Sequence, residues 1–139
     1  MKIKQRTKTL SNKDKLYKQI IREYDYIKHG LWKAVEYFEY GHGSEKGLYD
    51  NYKGQDYSPY KLYLKIKRQL KSLGLKFSDH NPCNGGKWQI DHKLPKIAGC
   101  DANYTKQIHA LKNLNAVPTH INLSKNSKYK GKSLRKINL

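Results

Sequence analysis

The sequence predicts a mostly helical α+β protein, with helices in its first half and a short strand pair closed by a helix in its second. Three observations carry that expectation. Apolar residues recur every three or four positions in residues 11–30 and 59–73, the period of a helix buried on one face. Apolar and polar residues alternate through Trp88, Gln89, Ile90 and Asp91, the period of a strand. A second short apolar run, NLNAV at residues 113–117, then precedes Pro118-Thr119.

Taken in order, residues 1–10 are basic and polar, the composition of a mobile arm. From Ser11 a helix is signalled by Leu16, Ile20, Tyr24 and Ile27, and Gly30 is expected to stop it. Leu31 to Tyr40 reads as a second short helix, with Trp32, Val35, Tyr37 and Phe38 as its apolar residues. GHGSEKG at 41–47 breaks the pattern; it lacks the spacing of a phosphate-binding loop and is read as a flexible connection. Ser58-Pro59 has the form of a helix cap followed by proline at the first helical position. Tyr63, Ile66, Leu70 and Leu73 then trace one apolar face, and Gly74 closes the helix. Lys61, Lys65, Lys67, Arg68 and Lys71 crowd its remaining surface, either as a solvated face or as a phosphate-contacting one. SDHNPCNGG, 78–86, is loop chemistry. KWQIDHKLP reads as a strand ended by Pro95, residues 103–112 as a short helix, and Pro118-Thr119 as the start of a third helical segment running to about Lys128.

Composition narrows the partners. The 139 residues suit one domain with a modest core. Lysine and arginine total 29 against 11 acids, a formal net charge of +18. Such a field attracts polyanions, nucleic acid foremost, and twelve tyrosines add flat faces able to stack on bases. No acid follows Asp101, whereas residues 31–57 hold five acids against three bases and are expected to face away from a polyanion. No run approaches the roughly 18 apolar residues of a membrane span, so a soluble, cytoplasmic protein without a membrane partner is expected. Cys83 and Cys100 lack the paired spacing of a zinc site, so structural zinc is not expected and two ordinary thiols are.

WQIDHKLP, NLNAV and INLSKNSK, in that order, resemble the HNH endonuclease family, especially phage-type members with W-x-I-D-H, N-L-x-x-L and D-N-x-x-K segments. The resemblance covers roughly residues 87–128 and implies a ββα-metal unit, in which a divalent ion is held between a hairpin and a helix. It divides the chain into a basic helical region (1–78), a nuclease unit (79–130) and a basic tail (131–139). By resemblance Asp91 and Asn122 are metal ligands, His92 is the general base, and Asn113 holds the hairpin loop and orients that base. Lys125 matches the lysine of the last segment; Lys128, Lys130, Lys132, Lys67 and Arg68 join it as nucleic-acid contacts.

The implied chemistry is hydrolysis of double-stranded DNA with one magnesium or manganese ion, in a bacterial or phage-infected cell. A carboxylate oxygen suits such a hard cation, and an imidazole titrating near neutrality suits proton abstraction. The chain departs from the pattern at Ile121, where relatives often carry Asp, and in lacking the two cysteine pairs that brace many of them. His120 is a rival to Asn122 as ligand. His109 is read as structural, with a substrate contact as its alternative. The pair Asp79-His80 has no strand behind it and serves as an internal control for Asp91-His92. The competing function is a basic nucleic-acid binder without chemistry, RNA-binding or ribosome-associated.

Overall fold

A computed structural model describes residues 11–51, 57–101 and 103–121. Helix α1 spans Asn12–Tyr40. It starts where the Ser11 hydroxyl accepts the Asp14 amide at 3.1 Å. It ends at Gly41, whose left-handed backbone (φ 69°) lets the amide of His42 reach the Glu36 carbonyl at 2.9 Å. The expected break at Gly30 does not occur: one continuous helix of 29 residues runs through it. The reason lies in packing. Leu31, Ala34 and Val35 prolong the buried stripe of Ile20, Tyr24 and Ile27, and this burial outweighs the roughly 1 kcal/mol that a mid-helix glycine costs.

Helix α2 spans Pro59–Leu73, capped by the Ser58 hydroxyl on the Lys61 amide and closed by Gly74. Its buried face is Leu62, Tyr63, Ile66 and Leu70; Leu73, expected on that face, is exposed instead. The Asp79 segment, read as loop, forms two 3-10 turns, Phe77–His80 and Pro82–Asn84.

Strands β1 (Trp88–His92) and β2 (Leu114–Pro118) pair antiparallel, with Ile90 opposite Ala116, Asp91 opposite Asn115 and His92 opposite Leu114. Between them lie a 3-10 turn at Lys96–Cys100, successive turns over 103–110, and a last 3-10 turn at Leu111–Asn113. The short helix expected at 103–112 is therefore absent. Asp101 accepts the Asn103 amide at 2.8 Å, and the Thr105 hydroxyl donates to the Gly99 and Asp101 carbonyls. These local side-chain bonds hold the backbone in turns rather than in a helical ladder. After β2 the backbone is helical again at 119–121.

Trp88, Ile90, Leu114 and Ala116 bury one face of the hairpin in the main core, against Ile27, Leu31 and Val35 of α1 and Leu62, Ile66 and Leu70 of α2. Gln69 of α2 covers the outer edge of β2: its carbonyl accepts the Ala116 amide at 2.8 Å and its amide donates to Asn115. A smaller cluster of Ile20, Ala98 and Ile108 joins the hairpin loop to the start of α1. Gly99 is what allows that approach, since a Cβ there would lie 2.6 Å from Ile108 and 2.7 Å from Ile20. Among the described residues no helix is long and apolar enough to cross a membrane.

Candidate active site at the end of the hairpin

The last two residues of β1 are a carboxylate and an imidazole, and both are buried: Asp91 is 8% exposed and His92 6%. Alternation along a strand sends neighbouring side chains to opposite faces. The two nevertheless share a neighbour in Tyr24 of α1. Its ring stands edge-on to His92 with centroids 4.5 Å apart. Its hydroxyl is held protonated far above the ordinary phenol range, first by burial and then by the charges of Asp25 and Asp91.

Asn113 ties the loop that joins the strands. Its side-chain carbonyl accepts the Leu94 amide at 2.6 Å, while its amide donates to the carbonyls of Leu94 at 3.0 Å and Ile108 at 2.7 Å. Three bonds to backbone from one buried side chain fix both ends of a connection that has little regular structure of its own. The Lys93 amide adds a bond to the Asn113 carbonyl at 2.9 Å, which continues the hairpin ladder past His92.

Behind His92 stands His109, 3% exposed. Nε2 of His92 lies 3.3 Å from Nδ1 of His109, and Nε2 of His109 lies 3.0 Å from the Ile20 carbonyl of α1. Glu23 comes within 3.8 Å of the same nitrogen. Tyr24 lies nearly parallel to the His109 ring, with centroids 6.1 Å apart. The ammonium groups of Lys28 and Lys96 sit 4.7 and 4.9 Å from the centre of the Tyr24 ring. Burial, and then the charge of Lys28, lowers the pKa of Lys96 below the usual lysine range. The Tyr24 ring that touches both imidazoles thus also carries two ammonium groups, of which Lys28 is paired with Asp25 at 3.5 Å.

The sequence reading overlooked Tyr24, Lys28 and Lys96. Tyr24 lies in the apolar stripe of α1 and passes for a core residue, although a hydroxyl in such a stripe is itself a signal. Lys28 stands one turn further along and Lys96 four residues beyond His92; only the fold brings them together. His109, read as structural or as a substrate contact, is buried against the candidate base.

Of the other predicted residues, Lys67 spends its charge within the protein, 2.8 Å from Glu39 and beside the Tyr63 hydroxyl. Arg68 is exposed on α2, and His120 is exposed in the helical residues after β2. Asn122, Lys125, Lys128, Lys130 and Lys132 lie outside the described residues. The control pair has a structural role: Asp79 accepts the Lys76 amide at 2.8 Å, and His80 packs between Trp32 and Trp88. Cys83 and Cys100 are free thiols.

Among the described residues no group of three or more His, Cys, Asp or Glu side chains is gathered as a metal cage. The donor chemistry at Asp91 fits a different kind of site. Magnesium is commonly held by one or two protein oxygens and completes its shell with water and substrate phosphate. Comparison with known proteins gives no match: no family model fits the chain, and no similar curated protein or solved structure was found.

Proposed function

We propose that the protein is a metal-dependent endonuclease that hydrolyses phosphodiester bonds in DNA, in the manner the HNH resemblance implies. The observation that carries this reading is the environment of His92. It is a buried imidazole at a strand end, with one ring nitrogen against His109, next in the chain to a buried carboxylate, on a hairpin whose loop Asn113 ties.

In this reading His92 takes a proton from a water molecule. The water oxygen donates its electron pair to phosphorus, and the bond from phosphorus to the leaving oxygen breaks, its electrons staying on that oxygen until solvent protonates it. Asp91 would hold the divalent cation, magnesium or manganese, with Asn122 as the second protein ligand. When bound, that ion supplies positive charge where the phosphate and the leaving oxygen become more negative. Asn113 keeps the loop, and with it the strand end, in one place. Lys28 and Lys96 offer cationic contacts to the phosphate or its neighbours. Arg68 and the lysines after residue 122 contact the flanking duplex backbone.

Supercoiled plasmid incubated with protein and magnesium or manganese should be nicked or linearised, and a chelator should prevent it. His92→Ala should slow cleavage on the order of 10²- to 10⁴-fold while DNA binding persists. Cleavage that survives the chelator, or that His92→Ala leaves untouched, overturns the assignment. Tight binding without cutting by the unaltered chain would favour the second reading, a basic nucleic-acid binder without chemistry, which the net charge of +18 alone supports.

A further inference from the structure

We propose that His109 is a positioning residue that holds His92 with its proton on Nε2, so that Nδ1 is the nitrogen that receives the proton of the attacking water. The second half of this statement rests on the reading of His92 as the base; the first half follows from the geometry of two neutral imidazoles.

The Ile20 carbonyl can only accept, so His109 Nε2, 3.0 Å away, must carry a hydrogen. A neutral imidazole has one N–H, which leaves a lone pair on His109 Nδ1. The atom facing that lone pair at 3.3 Å is His92 Nε2, which therefore donates. A neutral His92 that donates from Nε2 has its own lone pair on Nδ1. With both imidazoles neutral, every assignment in this chain follows from one backbone oxygen.

The surroundings keep it so. Both rings are almost completely buried, and Tyr24 packs against both, edge-on to one and nearly parallel to the other. Glu23 of α1 comes within 3.8 Å of His109, and the Tyr24 ring that packs against both imidazoles has Lys28 and Lys96 at 4.7 and 4.9 Å from its centre and feels the charge of Asp91. When Nδ1 of His92 accepts a proton as the water O–H bond breaks, the Nε2–H bond to His109 becomes charge-assisted without any movement. A base oriented by a further group is a recurrent catalytic arrangement. Here the orienting group belongs to the hairpin loop and is itself held by the backbone of an N-terminal helix.

The test is imidazole nitrogen NMR on the full chain with ¹⁵N-labelled histidine at neutral pH. The six histidines are sorted by the signals lost in His92→Ala and in His109→Leu. His92 is expected to show a protonated Nε2 and an unprotonated Nδ1. His109→Asn places an amide oxygen near the former Nδ1 and should retain that pattern; His109→Leu removes the acceptor and should give a mixture of the two tautomers. In the plasmid assay His109→Leu should lower kcat on the order of 100-fold at unchanged KM, with most of the loss recovered in His109→Asn. A proton on His92 Nδ1 in the unaltered protein overturns the proposal, whatever the cleavage result and even if the leucine variant fails to fold. The expected tautomer in a protein that cuts no DNA would leave the positioning role standing and remove the nuclease reading instead.

Discussion

Asn113 shows how much one side chain can decide at the scale of a residue. Its side-chain amide bonds to both Leu94 and Ile108, residues on the two flanks of the loop between the strands. Asn113→Ala would leave the Leu94 amide and two carbonyls without that partner in a buried setting, and should cost about 2–4 kcal/mol in denaturant titration. Asn113→Asp is the sharper experiment, because the shape survives and the donors do not. An ionised carboxylate would face two carbonyl oxygens, so its protonated form is the one the fold favours. The folded pKa then lies above the unfolded one, and the deficit of this variant should shrink as the pH is lowered towards about 4. A deficit that is flat with pH would mean that the amide is not donating as described. The sequence flagged Asn113 only through a motif; its triple bonding depends on loop flanks 5 and 19 residues away.

At the scale of elements, signals read from adjacent residues were legible and those read across space were not. Ser11, Ser58-Pro59 and Gly74 marked helix ends correctly, since a cap is a local contract between a side chain and the next turn. The alternation in WQIDH gave β1 for the same reason. Gly30 misled because its propensity is local while the burial of Leu31 and Val35, which overrides it, is supplied by α2 and the hairpin. The turns at 103–110 were missed because nothing in their spacing announces that Asp101 and Thr105 will bond to nearby backbone. Gly99 is the corresponding case in packing. Gly99→Ala would press a methyl group against Ile108 and Ile20, both buried and branched, and should cost about 1–3 kcal/mol, seen as a lower denaturant midpoint at constant slope. Ile108→Val in the same chain should return part of it. If Gly99→Ala is neutral, the contact between α1 and the loop is looser than drawn.

For the whole molecule, the charge and the core tell one story. The main core takes residues from α1, α2 and both strands, so the proposed site is built on a continuous interior that begins in the N-terminal helix. The net charge is +18, and DNA binding should therefore weaken steeply with salt. Neutralising about four phosphates would cost about 100-fold in affinity between about 50 and 200 mM salt, and fluorescence anisotropy of a labelled duplex would measure it. An affinity indifferent to salt would separate the charge from nucleic acid altogether. The side chain of Gln69 has a consequence for how molecules of this protein meet. By engaging the Ala116 amide it stands where the backbone of a third strand would otherwise lie. Lateral growth of the ribbon on that flank is thereby obstructed, so self-association or capture of an extended peptide there would first have to evict a glutamine from its seat.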